Sequence, residues 1–436
     1  MTVLIAGAGM GGLTLALSLH QIGVPCRVFE SVREIKSLGV GINVLPHAVR
    51  ELVELGLEDA LDTTSIRTKE LAYFSKHGKQ IWSEPRGLDA GYKWPQFSIH
   101  RGELQMILLE AVKERLGPDC VLTGHHIADW KETDSGVRAR FIDKESGKTL
   151  GEHDGALLIA ADGIHSSIRA HFHPNEGPPL WNGRILWRGV TVGEPYLTGR
   201  TMIMAGYQSL KFVCYPISKS ASERGRPMVN WIAEREFSPD YQWRREDYNR
   251  PGKLEEFLPW FEDWKFDWLD VPGLIRNAEY VFEFPVVDRN PLERWTHGRV
   301  TLLGDAAHPM YPIGSNGASQ AILDARVLAR EILAKGETEA ALLAYEAERR
   351  PATTDLVLLN RGNGPEQVMQ MVEDRAPNGF NVVTEVLTKQ ELEDVAANYK
   401  RVAGFQVDKL NAKPPIVPRP PVASPTRYRP RAQAAE

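Results

Sequence analysis

Hydrophobic positions along the chain follow two rhythms. Residues 3–6 are a short apolar run, followed by glycines and then by helical spacing at Leu13, Ala16, Leu17 and Leu19. Gly23-Val24-Pro25 breaks that helix, and residues 26–29 (CRVF) form a second strand closed by Glu30. Strand, helix and strand within about 30 residues make a βαβ unit. Further helices are predicted over residues 48–55, ending at Gly56, over 104–116, ending at Gly117-Pro118, and over 318–333. The apolar runs at 157–161 (LLIAA) and 300–303 (VTLL) predict two more fully buried strands.

From about residue 181 to 284 the rhythm changes. Runs such as 211–215 and 228–233 read as strands, and seven of the eleven tryptophans fall there, so a mostly β domain inserted into the first is expected. The first domain resumes near Arg299, and a helical pattern runs from Leu343 through Val402. The segment from 412 onward is rich in Pro, Arg and Ala and is expected to be a disordered tail.

A chain of 436 residues is long enough for two or three domains. Its net charge of −5 speaks against a nucleic-acid surface, which is usually basic. Cys26, Cys120 and Cys214 are too few and scattered for a disulfide framework or a zinc site, and suit a reducing cytoplasm. No stretch approaches the ~20 apolar residues of a spanning helix. The N-terminus lacks the positive charge of a signal peptide. Neither nucleic acid nor membrane is therefore an expected partner, and no metal-ligand spacing is visible.

Three motifs carry the candidate chemistry, each directly after a predicted strand. The first is Gly7-Ala8-Gly9-Met10-Gly11-Gly12, a GxGxxG in which Gly7, Gly9 and Gly12 permit a tight turn, close approach of a pyrophosphate and helix–strand packing. Glu30, about twenty residues on, stands where a carboxylate accepts hydrogen bonds from ribose hydroxyls. The second is ADGIHSSIR at 161–169, whose Asp162 either binds a polar ligand or caps the following helix. The third, GDAAHPMYPIGSNG at 304–317, offers Asp305 at a strand tip and His308, either a site residue or a satisfied core histidine.

The three motifs, in this order, resemble the single-component, FAD-dependent aromatic hydroxylases, the class A flavoprotein monooxygenases. The resemblance covers about the first 350 residues and includes His100-Arg101-Gly102-Glu103-Leu104. It implies an α/β fold: a Rossmann-like FAD-binding domain of glutathione-reductase type, an inserted mixed β-sheet substrate domain and C-terminal helices. The FAD-binding domain would comprise residues 1–75, 101–180 and 285–345, and the substrate domain 76–100 and 181–284. A helical region would follow at 346–410 and a disordered tail at 411–436.

It also implies roles. Arg101 would reach the ribityl–phosphate region, Asp305 would bind the ribitol or pyrophosphate, and Gln105 and Asp162 would also contact the FAD. The helix starting near Gly317 and Ala318 would aim its N–H groups at the pyrimidine edge of the flavin, where a helix dipole stabilises an anion. Pro312 would border the reactive face. NADH or NADPH would reduce the flavin, and O2 would yield a C4a-hydroperoxide that hydroxylates an aromatic or heteroaromatic acid, with or without decarboxylation. The substrate pocket, between flavin and β domain, has Trp187, Arg188, Met204, Tyr215 and Trp231 as candidates, with Arg188 and Tyr215 as active-site residues beside Pro312. Relatives acting on hydroxylated acids carry a histidine base where Asn43 stands, and asparagine cannot deprotonate a phenol. A monomer or homodimer is expected. Two other readings remain: a flavin-dependent dehydrogenase without oxygen insertion, and a non-enzymatic dinucleotide-binding module.

Overall fold

The computed structural model describes residues 1–243, 250–362, 364, 366–402 and 406–418. Its centre is a five-stranded parallel sheet in the order Val300–Leu302, Leu157–Ala160, Val3–Ala6, Cys26–Glu30 and Val121–Thr123. The first three of these strands are buried throughout, because helices cover both faces of a parallel sheet. The helix Met10–Gln21 is apolar nearly all round, since it lies between the sheet and the helices Arg101–Leu116 and Gly317–Lys335. A three-stranded antiparallel sheet, Thr149–Gly155, Gly136–Ile142 and His126–Thr133, flanks this layer.

The second domain is a seven-stranded sheet in the order Tyr280–Asp288, Leu180–Val192, Met228–Glu236, Leu210–Pro216, Thr201–Tyr207, Glu70–Phe74 and Gln80–Pro85. All its pairs are antiparallel except that between Thr201–Tyr207 and Glu70–Phe74. The strand Glu70–Phe74 thus joins this sheet, although the resemblance implies that residues 1–75 belong to the other domain. Its hairpin partner Gln80–Pro85 is local, but its link to the rest of the sheet, Thr201–Tyr207, is distant in sequence. A small sheet of Gly41–Val44, Phe97–His100 and Ile66–Arg67 lies where the two domains meet.

The helices Glu339–Arg361, Gln367–Arg375 and Lys389–Val402 follow. Residues 411–418 of the expected tail end the helix Val407–Ala412 and run to a buried Val417, while 419–436 lie outside the described residues. No helix among the described residues is long and apolar enough to cross a membrane.

Candidate active site

The parallel register brings the C-terminal ends of three strands side by side, and with them the three motifs. Gly7 adopts φ +110°, and a Cβ there would stand 2.2 Å from the Ala161 carbonyl oxygen, so the first motif touches the second. A Cβ on Gly11 would stand 2.4 Å from Leu303 Cδ2, so the first motif also packs against the residue that leads into the third. Gly12 packs against the Gly7 carbonyl. Gly9 differs: nothing lies within 4 Å of its Cβ position. The turn is therefore tight on its protein side and open on the other. Ala8 N–H donates to Glu30 Oε2 at 2.8 Å, and Gln105 Nε2 donates to the Ala8 carbonyl at 2.9 Å.

The two aspartates have different surroundings. Asp162 Oδ2 accepts from Ser167 N–H at 3.0 Å, while Ser166 Oγ caps the short helix by accepting from Arg169 N–H. Asp162 Oδ1 is buried without a protein partner. Burial pushes its carboxyl up, and bonds from Ser166 and nearby backbone N–H groups oppose this. Asp305 is solvent-accessible, yet many protein atoms surround its carboxyl. That environment raises its carboxyl, against the pull of His308 and Arg101. No described residue hydrogen-bonds its side chain.

A different acid holds the loop. Asp324 Oδ2 accepts Gly304 N–H at 3.0 Å and His308 Nε2 at 2.5 Å, and its Oδ1 accepts Arg349 Nε at 2.7 Å. His308 is thus a core histidine held through Nε2 by Asp324, its Nδ1 buried without a partner. Arg169, fully buried, donates to the carbonyls of Ala306 and Ala307. These anchors leave Asp305 free for a ligand. Downstream, Pro312 is exposed, and Gly314 and Ser315 both take left-handed backbone angles. The helix Gly317–Lys335 begins with no side-chain capping bond from Asn316, and nothing lies within 4 Å of a Cβ on Gly317. Ala318 is half-buried beside it.

These features fit an extended dinucleotide. Two helix N-termini, at Gly9 and Gly317, open where a side chain would block them, and helix ends offer free N–H groups to anionic ligands. Between them lie an orphaned carboxylate oxygen and an accessible aspartate. Arg101 passes over Gly39, and its charge reaches both Asp305 and Arg188.

The seven-stranded sheet stands opposite. Directly paired residues share a face, so Phe282, Arg188, Ile232, Val213 and Met204 lie side by side across five strands. Tyr215 and Asn230 pair in the adjacent row. The peptide of Gly41 is gripped from this sheet: Arg188 Nη2 and Tyr215 Oη each donate to its carbonyl at 2.8 Å, and its N–H donates to Asn230 Oδ1 at 2.6 Å. Arg188 also lies over the Phe284 ring at 5.5 Å. No carboxylate among the described residues pairs with Arg188, and its Nε has no partner. Burial lowers its guanidinium and pushes the Tyr215 phenol up to about 12.

Trp187 and Trp231 do not reach this cleft. They face the other side of the sheet, where Trp187 stacks on Phe257 at 4.8 Å and Trp231 Nε1 donates to Thr191 Oγ1. Consecutive strand residues point to opposite faces, so Trp187 and Arg188 cannot line one pocket. Met204 does lie on the cleft side, in a cluster with Tyr215 that Val368 and Met369 complete from the C-terminal helices. Asn43 is buried, accepting from Ser98 Oγ at 2.7 Å and facing Met202 Sδ at 3.5 Å. Asp324, Arg349, Asn230 and the C-terminal cover were not singled out from sequence. Strand parity could have found Asn230, which lies two residues from Ile232 on the same face.

Comparison with known proteins agrees with this geometry. Residues 1–210 and 283–359 match the FAD binding domain family. The chain is 47% identical to phenazine 1,6-dicarboxylic acid hydroxylase PhzS of Lysobacter antibioticus, over 82% of this chain and 89% of that one. It is 29% identical to 3-amino-4-hydroxybenzoate 2-monooxygenase PtmB3 of Streptomyces platensis, over 94% and 98% of the two chains. The crystal structure of Klebsiella pneumoniae HpxO complexed with FAD and uric acid shares the fold, with a TM-score of 0.71 at 23% identity over 94% of this chain and 96% of that one. The chain belongs to the FAD binding domain family and, within it, to the FAD-dependent aromatic-ring monooxygenases.

Proposed function

We propose that the chain uses NAD(P)H and O2 to hydroxylate a heteroaromatic ring bearing a carboxylate, with Arg188 as the carboxylate's partner. The supporting observation is Arg188 itself: a cation set into the cleft wall with no acid beside it. Buried charges are ordinarily paired, and a guanidinium fork fits a carboxylate bidentately. The phenazine dicarboxylate named for the relative from Lysobacter is a substrate of this kind.

Bound FAD supplies hydride acceptance from NAD(P)H and activation of O2 for transfer of one oxygen atom to an electron-rich ring carbon. The second oxygen leaves as water, and NAD(P)H is oxidised to NAD(P)+. Gly9, Glu30, Asp162, Asp305, Arg101 and Gln105 would hold the FAD, Gly317 and Ala318 would receive the edge of its ring, and Pro312 would border it. With its phenol pushed up to about 12, Tyr215 stays protonated and acts as a hydrogen-bond donor, not as a base. Asn43 cannot take a proton either. The ring then either ionises without a base at this position or is activated by an amine it carries. Met204, Val213, Ile232 and Met369 exclude water from the reacting pair. Attack at the carbon carrying the carboxylate gives oxidative decarboxylation, and attack elsewhere gives simple hydroxylation. Three free, buried cysteines suit work in the cytoplasm.

The test is O2 uptake and NADPH or NADH oxidation with and without phenazine-1,6-dicarboxylic acid and a panel of ring acids. Stimulated consumption with a hydroxylated product is expected. NADPH oxidation that proceeds only when an artificial acceptor such as a quinone is added, with no O2 uptake and no oxygenated product from any ring acid, would instead indicate a dehydrogenase.

A further inference from the structure

The loop that carries Pro312 is gripped at Tyr311 by two successive residues at the end of the helix Glu339–Arg361. Asn360 Nδ2 donates to the Tyr311 carbonyl at 3.2 Å. Arg361 forms a two-pronged pair with Asp288, at 2.7 and 3.0 Å, and Asp288 is hydrogen-bonded to the Tyr311 side chain. The Tyr311 ring is buried against Leu186 and Val286 of the seven-stranded sheet. Two residues further along the loop, Ile313 lies so close to Gly364 that a Cβ there would stand 2.4 Å from Ile313 Cγ2. The peptide before Pro312 and the residue after it are both held from the C-terminal region.

Asn360 is an odd choice for packing alone. It is 1% exposed, and its Oδ1 has no protein partner. An orphaned acceptor in the interior costs stability that a leucine would avoid. The donor half of the amide is what the site uses. The loop needs such support, because Ser315 takes a left-handed angle that an L side chain adopts at a cost.

We infer that Asn360, with the Arg361–Asp288 pair acting on Tyr311, is a positioning residue that sets Pro312 and the start of the late helix against the flavin ring. The inference rests on the proposed reading of that loop as the flavin's border. Small displacements of a reacting pair cost rate steeply, so loosening this grip lets reducing equivalents escape as hydrogen peroxide before the ring is hydroxylated.

Two variants of the FAD-loaded enzyme test it. Asn360→Asp keeps shape but removes the donor, and Tyr311→Phe removes only the phenol link. Both are expected to keep the far-UV circular dichroism and the FAD content of the wild type. Both are expected to change the visible circular dichroism of the bound flavin. Product formed per NADPH oxidised, with phenazine-1,6-dicarboxylic acid, is expected to fall about five-fold or more. An unchanged visible spectrum in Asn360→Asp refutes the inference; if that variant does not fold, an unchanged spectrum in Tyr311→Phe does the same. A wild type that turns over none of the probe counts against the substrate reading instead, and leaves the visible spectrum to decide.

Discussion

Replacing Arg188 with methionine separates ligand recognition from folding, because the two should move in opposite directions. Methionine keeps an unbranched stem on the cleft wall but removes the guanidinium. A hydrogen bond to a charged group contributes about 1.5–3 kcal/mol. With each ~1.4 kcal/mol worth a factor of ten, KM for a carboxylated ring should rise about 10- to 100-fold. A neutral analogue, such as the diamide of phenazine-1,6-dicarboxylic acid, should lose nothing comparable. Stability should not suffer. The bond lost at the Gly41 carbonyl is backed up by Tyr215, which donates to the same oxygen. The variant also relieves a cation that has no acid beside it, so the melting temperature should stay level or rise. Steady-state kinetics on the acid and the diamide, with thermal melts, measure both effects. Equal losses on acid and diamide would show that Arg188 does not hold the carboxylate. A fall in melting temperature beyond about 5 °C would show that its role is structural.

Other expectations follow from the same geometry. Asp305→Ala should lose FAD during purification, read as flavin absorbance per protein; full yellow occupancy would show that Asp305 does not hold the cofactor. Trp187→Ala, on the far face of the sheet, should cost about 3–5 kcal/mol in urea unfolding while leaving KM unmoved in the folded enzyme; a raised KM would place Trp187 in the pocket after all. Burial pushes Glu103 up to about 7, only partly opposed by Arg224. The folded chain then binds a proton that the unfolded chain releases near pH ~4.3. This carboxyl therefore erodes stability as pH rises from about 4 through 7. Glu103→Gln should flatten that part of the melting profile, and identical wild-type and variant profiles from pH 4 to 8 would contradict the assignment.

The cofactor half of the site is legible because its chemistry is local. Each strand is a short apolar run, each motif follows at once, and Gly7, Asp162 and Asp305 stand where the strand tips converge. The substrate half is less so. Arg188 and Tyr215 are candidates by residue type alone, and strand alternation turns Trp187 and Trp231 away from them to the other face of the sheet. Asp324 anchors the Gly304–His308 turn from sixteen or more residues away and reads in sequence as one polar position on a helix. Arg349 and Asn360 act from the next helix, and only tertiary packing brings them to the loop. Glu70–Phe74 belongs to its sheet through a partner more than a hundred residues downstream.

The central claim is that the three strand-tip motifs hold one FAD that passes oxygen to a ring seated against Arg188. The most direct measurement supplies the FAD-loaded enzyme with NADPH, phenazine-1,6-dicarboxylic acid and isotopically heavy O2, and reads the product by mass spectrometry. One heavy oxygen atom per product molecule is predicted, introduced either by simple hydroxylation or at the carbon that loses its carboxylate. Product carrying only light oxygen from water would contradict the account.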